Sequence, residues 1–90
     1  MTRKIAVVVR DRQGEALRMA LGLNLMDDSV HVFLFDRKFD WTEADSTNIE
    51  VMREFDVEFF SNDERNEGAE HLATEDMARR LTEYDHVIPY

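Results

Sequence analysis

The feature that most constrains this chain is an unbroken run of aliphatic residues close to its start. Residues 4–10 read Lys-Ile-Ala-Val-Val-Val-Arg, and β-branched side chains dominate the run. A strand that is apolar on both faces is typical of a parallel sheet covered by helices on each side. A short turn at residues 11–14 follows. Residues 15–26, which are rich in alanine, leucine and methionine, then predict a helix.

The same alternation continues along the chain. Three further strands are predicted, at residues 30–35, 57–60 and 85–90. Helices are predicted between them, one beginning at Ser46 or Thr47 and one running from Thr74 through Glu83. Right-handed crossovers make such a sheet parallel and lay its helices on the two faces. The sequence therefore predicts a three-layer α/β/α sandwich with a parallel four-stranded sheet (βαβαβαβ). We expect one domain over residues 1–90, with the first strand central.

Two apolar features predict self-association. The helix at residues 15–26 is apolar over more than half of its circumference, which is more than one sheet face needs. The polar loop at residues 36–46 carries Phe39 and Trp41, and exposed aromatic residues in such a loop mark an interface more often than a catalytic site. A homo-oligomer, either a dimer or a trimer, would bury both surfaces.

Charge and composition narrow the function classes. Acidic residues number 20 and basic residues 11, for a net charge of −9, so phosphate backbones and anionic membranes would repel the protein. We therefore expect no nucleic-acid or membrane partner. The absence of cysteine excludes a disulfide scaffold, a cysteine-ligated metal and a thiol nucleophile. The sequence shows neither a membrane-spanning run nor a secretory signal pattern, so a cytoplasmic location is expected.

The candidate binding site is predicted from the strand ends, because ligands of an open parallel sheet bind beyond the carboxyl ends of its strands. The residues predicted there are Arg10, Asp11, Arg37, Ser61 and Asn62. Guanidinium, hydroxyl and amide donors beside the first helix would suit a small anion. Asp11 and Asp36 compete for the same cations, so internal ion pairing remains the alternative.

Other polar residues give no catalytic pattern. Four carboxylates near strand ends could bind magnesium, but turns and caps explain them more simply; they are Asp11, Asp36, Asp63 and Glu64. The three histidines have no metal-ligand spacing. His31 and His86 are predicted at the starts of strands, on the surface. We expect no metal and no cofactor, and we expect binding ahead of enzymatic activity, which the sequence leaves open.

Several segments, read together, resemble the DsrE-like sulfur-relay family. They are Lys4-Ile-Ala-Val-Val-Val, Glu15-Ala-Leu-Arg-Met-Ala-Leu-Gly-Leu-Asn-Leu, Val30-His-Val-Phe-Leu-Phe, Phe55-Asp-Val-Glu-Phe-Phe and Thr74-Glu-Asp-Met-Ala-Arg-Arg-Leu-Thr-Glu-Tyr-Asp-His-Val-Ile. The resemblance covers nearly the whole chain. It implies a small α/β subunit that forms oligomers and has a protein partner in sulfur metabolism.

The resemblance also implies a persulfide-carrying cysteine just after the third strand. The matching positions here are Ser61 or Asn62, and neither side chain can carry a persulfide. We therefore expect a non-catalytic binding or assembly subunit on the family's scaffold. The alternative is a protein that binds a small anion or another small molecule in the pocket at the carboxyl ends of the strands.

Overall fold

Strands and helices alternate along the chain in the computed structural model, which describes residues 3–90. The strands are β1 (Lys4–Val9), β2 (Ser29–Leu34), β3 (Glu58–Ser61), β4 (Glu70–His71) and β5 (His86–Pro89). The helices are α1 (Gln13–Leu25), α2 (Glu43–Glu54) and α3 (Thr74–Leu81). All neighbouring strands pair in parallel, in one five-stranded sheet of order β4-β3-β2-β1-β5.

The predicted α/β class and parallel sheet are confirmed, whereas the predicted count of four strands is wrong. The additional strand, β4, consists of two exposed polar residues. It exists because it pairs with the end of β3, where Phe60 lies opposite Glu70 and Ser61 lies opposite His71. Two polar residues carry no hydrophobic periodicity, so local sequence gives no signal for this strand.

The path of the chain explains why helices cover both faces. β1, β2 and β3 follow one another across the sheet, and α1 and α2 pack on the same face. The chain then returns to place β5 on the other side of β1, with α3 on the opposite face. Reversing the direction of a right-handed crossover moves its helix to the other face. β1 therefore has neighbours on both sides, as its apolar faces predict, although β2 is the middle strand.

The core consists of two clusters separated by the sheet. On the α1 and α2 face, alternate residues of β1 and β2 pack against the helices, with Leu17 and Met52 fully buried. On the α3 face, Phe33 packs against Phe60 with ring centroids 5.0 Å apart, and Met77 covers them. Each such side chain contributes about 1.5–3 kcal/mol through removal from water.

Two helix starts differ from prediction. α2 begins one turn earlier than expected, because Thr42, not Ser46 or Thr47, forms its N-cap. The Thr42 hydroxyl accepts from the Asp45 amide at 3.1 Å, and the Asp45 carboxylate accepts from the Thr42 amide at 3.2 Å. α3 has Ala73 at its N-cap position without a side-chain bond. The Thr74 hydroxyl, which was predicted to cap α3, accepts a hydrogen bond from elsewhere in the chain.

Two predictions of exposure are also wrong. Phe39 is only 3% exposed and stacks on Trp41, with ring centroids 5.5 Å apart, because the loop folds back onto the core. His31 lies inside β2 and is half-buried, with Nδ1 2.6 Å from the Tyr84 hydroxyl. His86, at the start of β5, is exposed as predicted. None of the described helices is long and apolar enough to cross a membrane.

Candidate functional site

Two asparagines hold together the loops at the carboxyl end of the sheet. The loop after β2 and the loop after β3 are neighbours there, since β2 and β3 pair in parallel. Asn66 is 5% exposed, and its Oδ1 accepts from the Phe39 amide at 2.8 Å. Its Nδ2 donates to the Arg37 carbonyl and to the Ser61 hydroxyl, each at 2.9 Å. One buried carboxamide therefore fixes both loops.

Asn62 makes the second connection. Its Oδ1 accepts from the Asp36 amide at 2.7 Å, and its Nδ2 donates to the Asp36 carboxylate and the Thr74 hydroxyl, each at 2.9 Å. Asp36 has a left-handed backbone, with φ of 68°. Residues with short polar side chains tolerate that conformation best, and Asn62 stabilises it by bonding both the amide and the carboxylate. This asparagine links β2, β3 and α3.

Two of the predicted site residues contact Asp36, and a third, Arg37, contacts one of them. Arg37 donates from Nε to the Arg10 carbonyl at 3.1 Å, and the Arg10 guanidinium lies 3.8 Å from the Asp36 carboxylate. Asn62 contacts the other oxygen of that carboxylate. A bound anion would have to compete with the Asp36 carboxylate for Arg10 and Asn62. The geometry therefore favours internal pairing at this point over an open anion cradle.

The other two predicted residues point elsewhere. Ser61 is 1% exposed, and its hydroxyl oxygen accepts from the Asp63 amide at 3.0 Å as well as from Asn66. A ligand cannot reach it without opening the loop. Asp11 is exposed and accepts from the following Arg12 amide at 2.8 Å. This is a local loop contact of the kind that aspartate makes in turns.

The carboxylates at this end of the sheet are dispersed. Asp63 pairs with Arg65 at 2.7 Å, and hydrogen bonds from Arg65 lower the pKa of Asp63 to about 2. Asp36 is held by Asn62 and Arg10. Within residues 3–90, no three histidine or acidic side chains are grouped closely enough to hold a metal ion.

A cleft beside this network was missed from the sequence. It has a volume of about 640 Å³ and lies between the loop after β2 and the loop after β3. Its walls include Phe39 and Trp41 on one side and Asn66 on the other, with Lys38 and Arg65 at the rim. The aromatic pair was the sequence signal available for this cleft, but Phe39 and Trp41 in a polar loop indicate an interface as readily as a cleft. The lining has two aromatic residues and seven polar or charged ones, among them Asp40, Glu64 and Glu67, so it is more polar than the usual small-molecule site.

Ser46 contributes a hydroxyl to the wall of this cleft, and no histidine is among the described residues that line it. A second depression of about 480 Å³ adjoins it and shares Trp41 and Ser46. The two together form a groove along the indole ring.

Comparisons with known proteins do not assign this chain to a family. The sequence matches no family model, and searches of curated proteins and of solved structures return no significant match. The function is therefore inferred from two properties of the structure. The polar loops at the strand ends are hydrogen-bonded to each other, and the surfaces around them are exposed.

Proposed function

We propose that this chain is a non-catalytic binding or assembly subunit on a DsrE-like scaffold, related to sulfur-relay proteins but unable to carry a persulfide. One observation carries the proposal. Ser61 and Asn62, one of which matches the family's cysteine in the resemblance, are both held in hydrogen bonds within the protein. Their side chains stabilise the loop after β3 in place of presenting a reactive group to a substrate.

The chemistry of these residues supports the same proposal. A relay needs a thiolate that attacks the donor's sulfane sulfur and then holds it in an S–S bond. An alkoxide is far harder to form near neutral pH, and a carboxamide is no nucleophile. The five methionines of the chain have thioethers without an ionisable proton. Sulfur would therefore pass this subunit on a partner protein, with the chain serving as scaffold.

Exposed apolar side chains support the assembly role. Met19, Leu25 and Met26 of α1 and its C-cap lie on the surface, and so does Phe55 at the end of α2. Large apolar side chains on the surface of a small acidic protein more often mark a contact with another molecule than a surface that stays exposed to solvent. A dimer or a trimer would cover this surface, and a sulfur-metabolism protein would be its further partner.

The proposal is tested by intact mass spectrometry. The purified chain is incubated with a persulfidated donor, the donor is removed, and the chain is weighed. We expect no change in mass. A stable gain of about 32 Da per sulfur, removable by reductant, would contradict the requirement for a thiolate.

Single cysteine variants test the family relation separately. Asn62→Cys places a thiol at a partly exposed position, whereas Ser61→Cys places one at a buried position. Thr82→Cys, at an exposed position after α3, is the matched control. If the scaffold is DsrE-like, Asn62→Cys accepts sulfur faster than Thr82→Cys. Equal rates for the two variants would remove the family relation.

The second candidate function is binding of a small molecule at the carboxyl end of the sheet. The 640 Å³ cleft beside Trp41 favours it. Trp41 is the single tryptophan of the chain, so its fluorescence reports directly on occupancy. We expect sulfate, sulfite or phosphate to shift the amide NMR signals of Arg10, Arg37 and Asn62 if the anion site forms. Shifts no larger there than at α3 would exclude it, and a fluorescence change alone would assign the ligand to the cleft.

A further inference from the structure

α1 presents an apolar face to solvent with a glycine at its centre. Met19, Leu25 and Met26 are 41%, 62% and 75% exposed. They surround Gly22 at spacings of three and four residues, so all four positions lie on one side of the helix. Phe55 lies close by, where it lines a depression with the end of α1. The depression at Phe55 is not lined by Met19, Leu25 or Met26, so the face itself consists of one side of α1 and its C-cap.

Gly22 has no explanation within a single chain. A Cβ placed there would meet no atom within 4 Å, so packing does not require glycine. Glycine inside a helix also lowers its stability relative to alanine. Glycine at this position lowers helix stability although a larger side chain would have room. Such a glycine fits a place where the backbone of another molecule approaches closely.

We propose that a second copy of this chain covers this face, in a two-fold dimer whose α1 helices cross antiparallel at Gly22. The inference rests on the proposed assembly function and names its partner. A two-fold axis at Gly22 pairs each residue before Gly22 in one subunit with the residue the same number of positions after Gly22 in the other subunit. Met19 then meets Leu25 of the partner subunit, and Arg18 meets Met26 of the partner subunit. Every contact occurs twice, and each is apolar or runs along an aliphatic stem.

Charge supports the same arrangement. α1 has no basic residue in its last turn, and the exposed Asp27 follows its C-cap. Arg18 is exposed and forms no salt bridge among residues 3–90. In the dimer, its stem lies over Met26 of the partner subunit and its guanidinium reaches the end of that helix. A cation is stabilising at a helix C-terminus.

The distribution of charge also indicates why the contact lies on α1. Residues 1–39 hold seven basic and five acidic residues, whereas residues 40–90 hold four basic and fifteen acidic ones. Two copies that meet through the first segment avoid bringing their acidic segments together. A lipid surface fits less well, because membrane-binding helices carry several lysines or arginines around their apolar face, whereas here Arg18 stands beside the face and two acidic residues, Asp27 and Asp28, follow the helix.

Disulfide trapping tests the geometry, and the natural absence of cysteine makes it clean. Met19→Cys and Leu25→Cys proteins are mixed in a mild thiol–disulfide buffer. The mixture should cross-link on the order of ten times faster than Ala78→Cys, an exposed α3 position on the opposite face, because pairing raises the effective thiol concentration. Neither variant should cross-link efficiently with itself.

Two results would overturn this interface. One is a mixture that cross-links no faster than the Ala78→Cys control. The other is self-linking of Met19→Cys as fast as its linking to Leu25→Cys, which would indicate a different symmetry. If light scattering still shows a mass above one chain, the assembly proposal stands and only this interface fails. A single-chain mass at all concentrations removes the second copy as the occupant of the face.

Substitution at Gly22 separates folding from association. Gly22→Arg has room in the single chain, so it should keep the wild-type circular dichroism spectrum but give the mass of one chain. Gly22→Ala should remain folded and associate less strongly than wild type. A Gly22→Arg protein that dimerises with unchanged affinity contradicts the proposed axis.

Discussion

Asn66→Ala should be among the most destabilising single polar substitutions in this protein. The Asn66 side chain makes its hydrogen bonds to the Phe39 amide, the Arg37 carbonyl and the Ser61 hydroxyl while 5% exposed. A buried group left without its partner costs about 1–3 kcal/mol, and some of these groups will regain a partner from entering water. We therefore expect a total loss of about 2–4 kcal/mol, out of a stability that is typically 5–15 kcal/mol.

Urea unfolding measures this loss with two independent probes. Circular dichroism follows the helices, and fluorescence follows Trp41, which stacks on the residue that Asn66 holds. The midpoint should fall without a change in slope, since the same surface is exposed on unfolding. In thermal unfolding, the same loss lowers the midpoint by about 10–25 °C for a domain of this size.

Asn48→Ala is the matched control, because the Asn48 side chain makes no hydrogen bond within residues 3–90 and lies on α2. Its effect should be near zero or slightly stabilising, given the higher helix propensity of alanine. Asn66→Asp should also destabilise the protein near neutral pH, because a buried carboxylate can accept from the Phe39 amide and the Ser61 hydroxyl but cannot donate to the Arg37 carbonyl. A loss for Asn66→Ala no greater than that of Asn48→Ala would refute the role assigned to this carboxamide.

Four further outcomes are expected. Thr42→Ala should lower the free energy of unfolding by about 1 kcal/mol in urea titrations through loss of the α2 cap, whereas Ser46→Ala should change it little. Burial lowers the pKa of His31 below 6.5, so stability should fall as pH drops below that value, and His31→Gln should remove this dependence. Burial raises the pKa of Tyr84 to about 12, so stability should decline between pH 10 and pH 12, and the tyrosinate absorbance lost in Tyr84→Phe should titrate near 12. Gly68→Ala should cost about 1–2 kcal/mol by thermal unfolding, since its backbone has φ of +82° and an arginine side chain fills the space of a Cβ; an unchanged midpoint would contradict this.

The alternation of strands and helices was determined by local sequence. The aliphatic run at residues 4–10 and the leucine-rich segment after it each prefer one secondary structure, and each has enough residues for the preference to add up. Parallel pairing then follows from general rules of chain connection. Those rules also located the strand ends, and so brought Arg10, Arg37 and Asn62 correctly to one edge of the sheet.

Only the tertiary structure decided which contacts form at the carboxyl end of the sheet. β4 forms because β3 offers unpaired backbone groups, and its own two residues carry no pattern. Phe39 is buried because Asn66, distant in sequence, holds its amide and closes the loop onto the core. Ser61, a predicted ligand residue, is buried, and its hydroxyl accepts from Asn66, which is 5 residues along the chain. Hydrogen-bond partners separated by tens of residues leave no local signal, since each is selected by the arrangement of the sheet that brings the loops together.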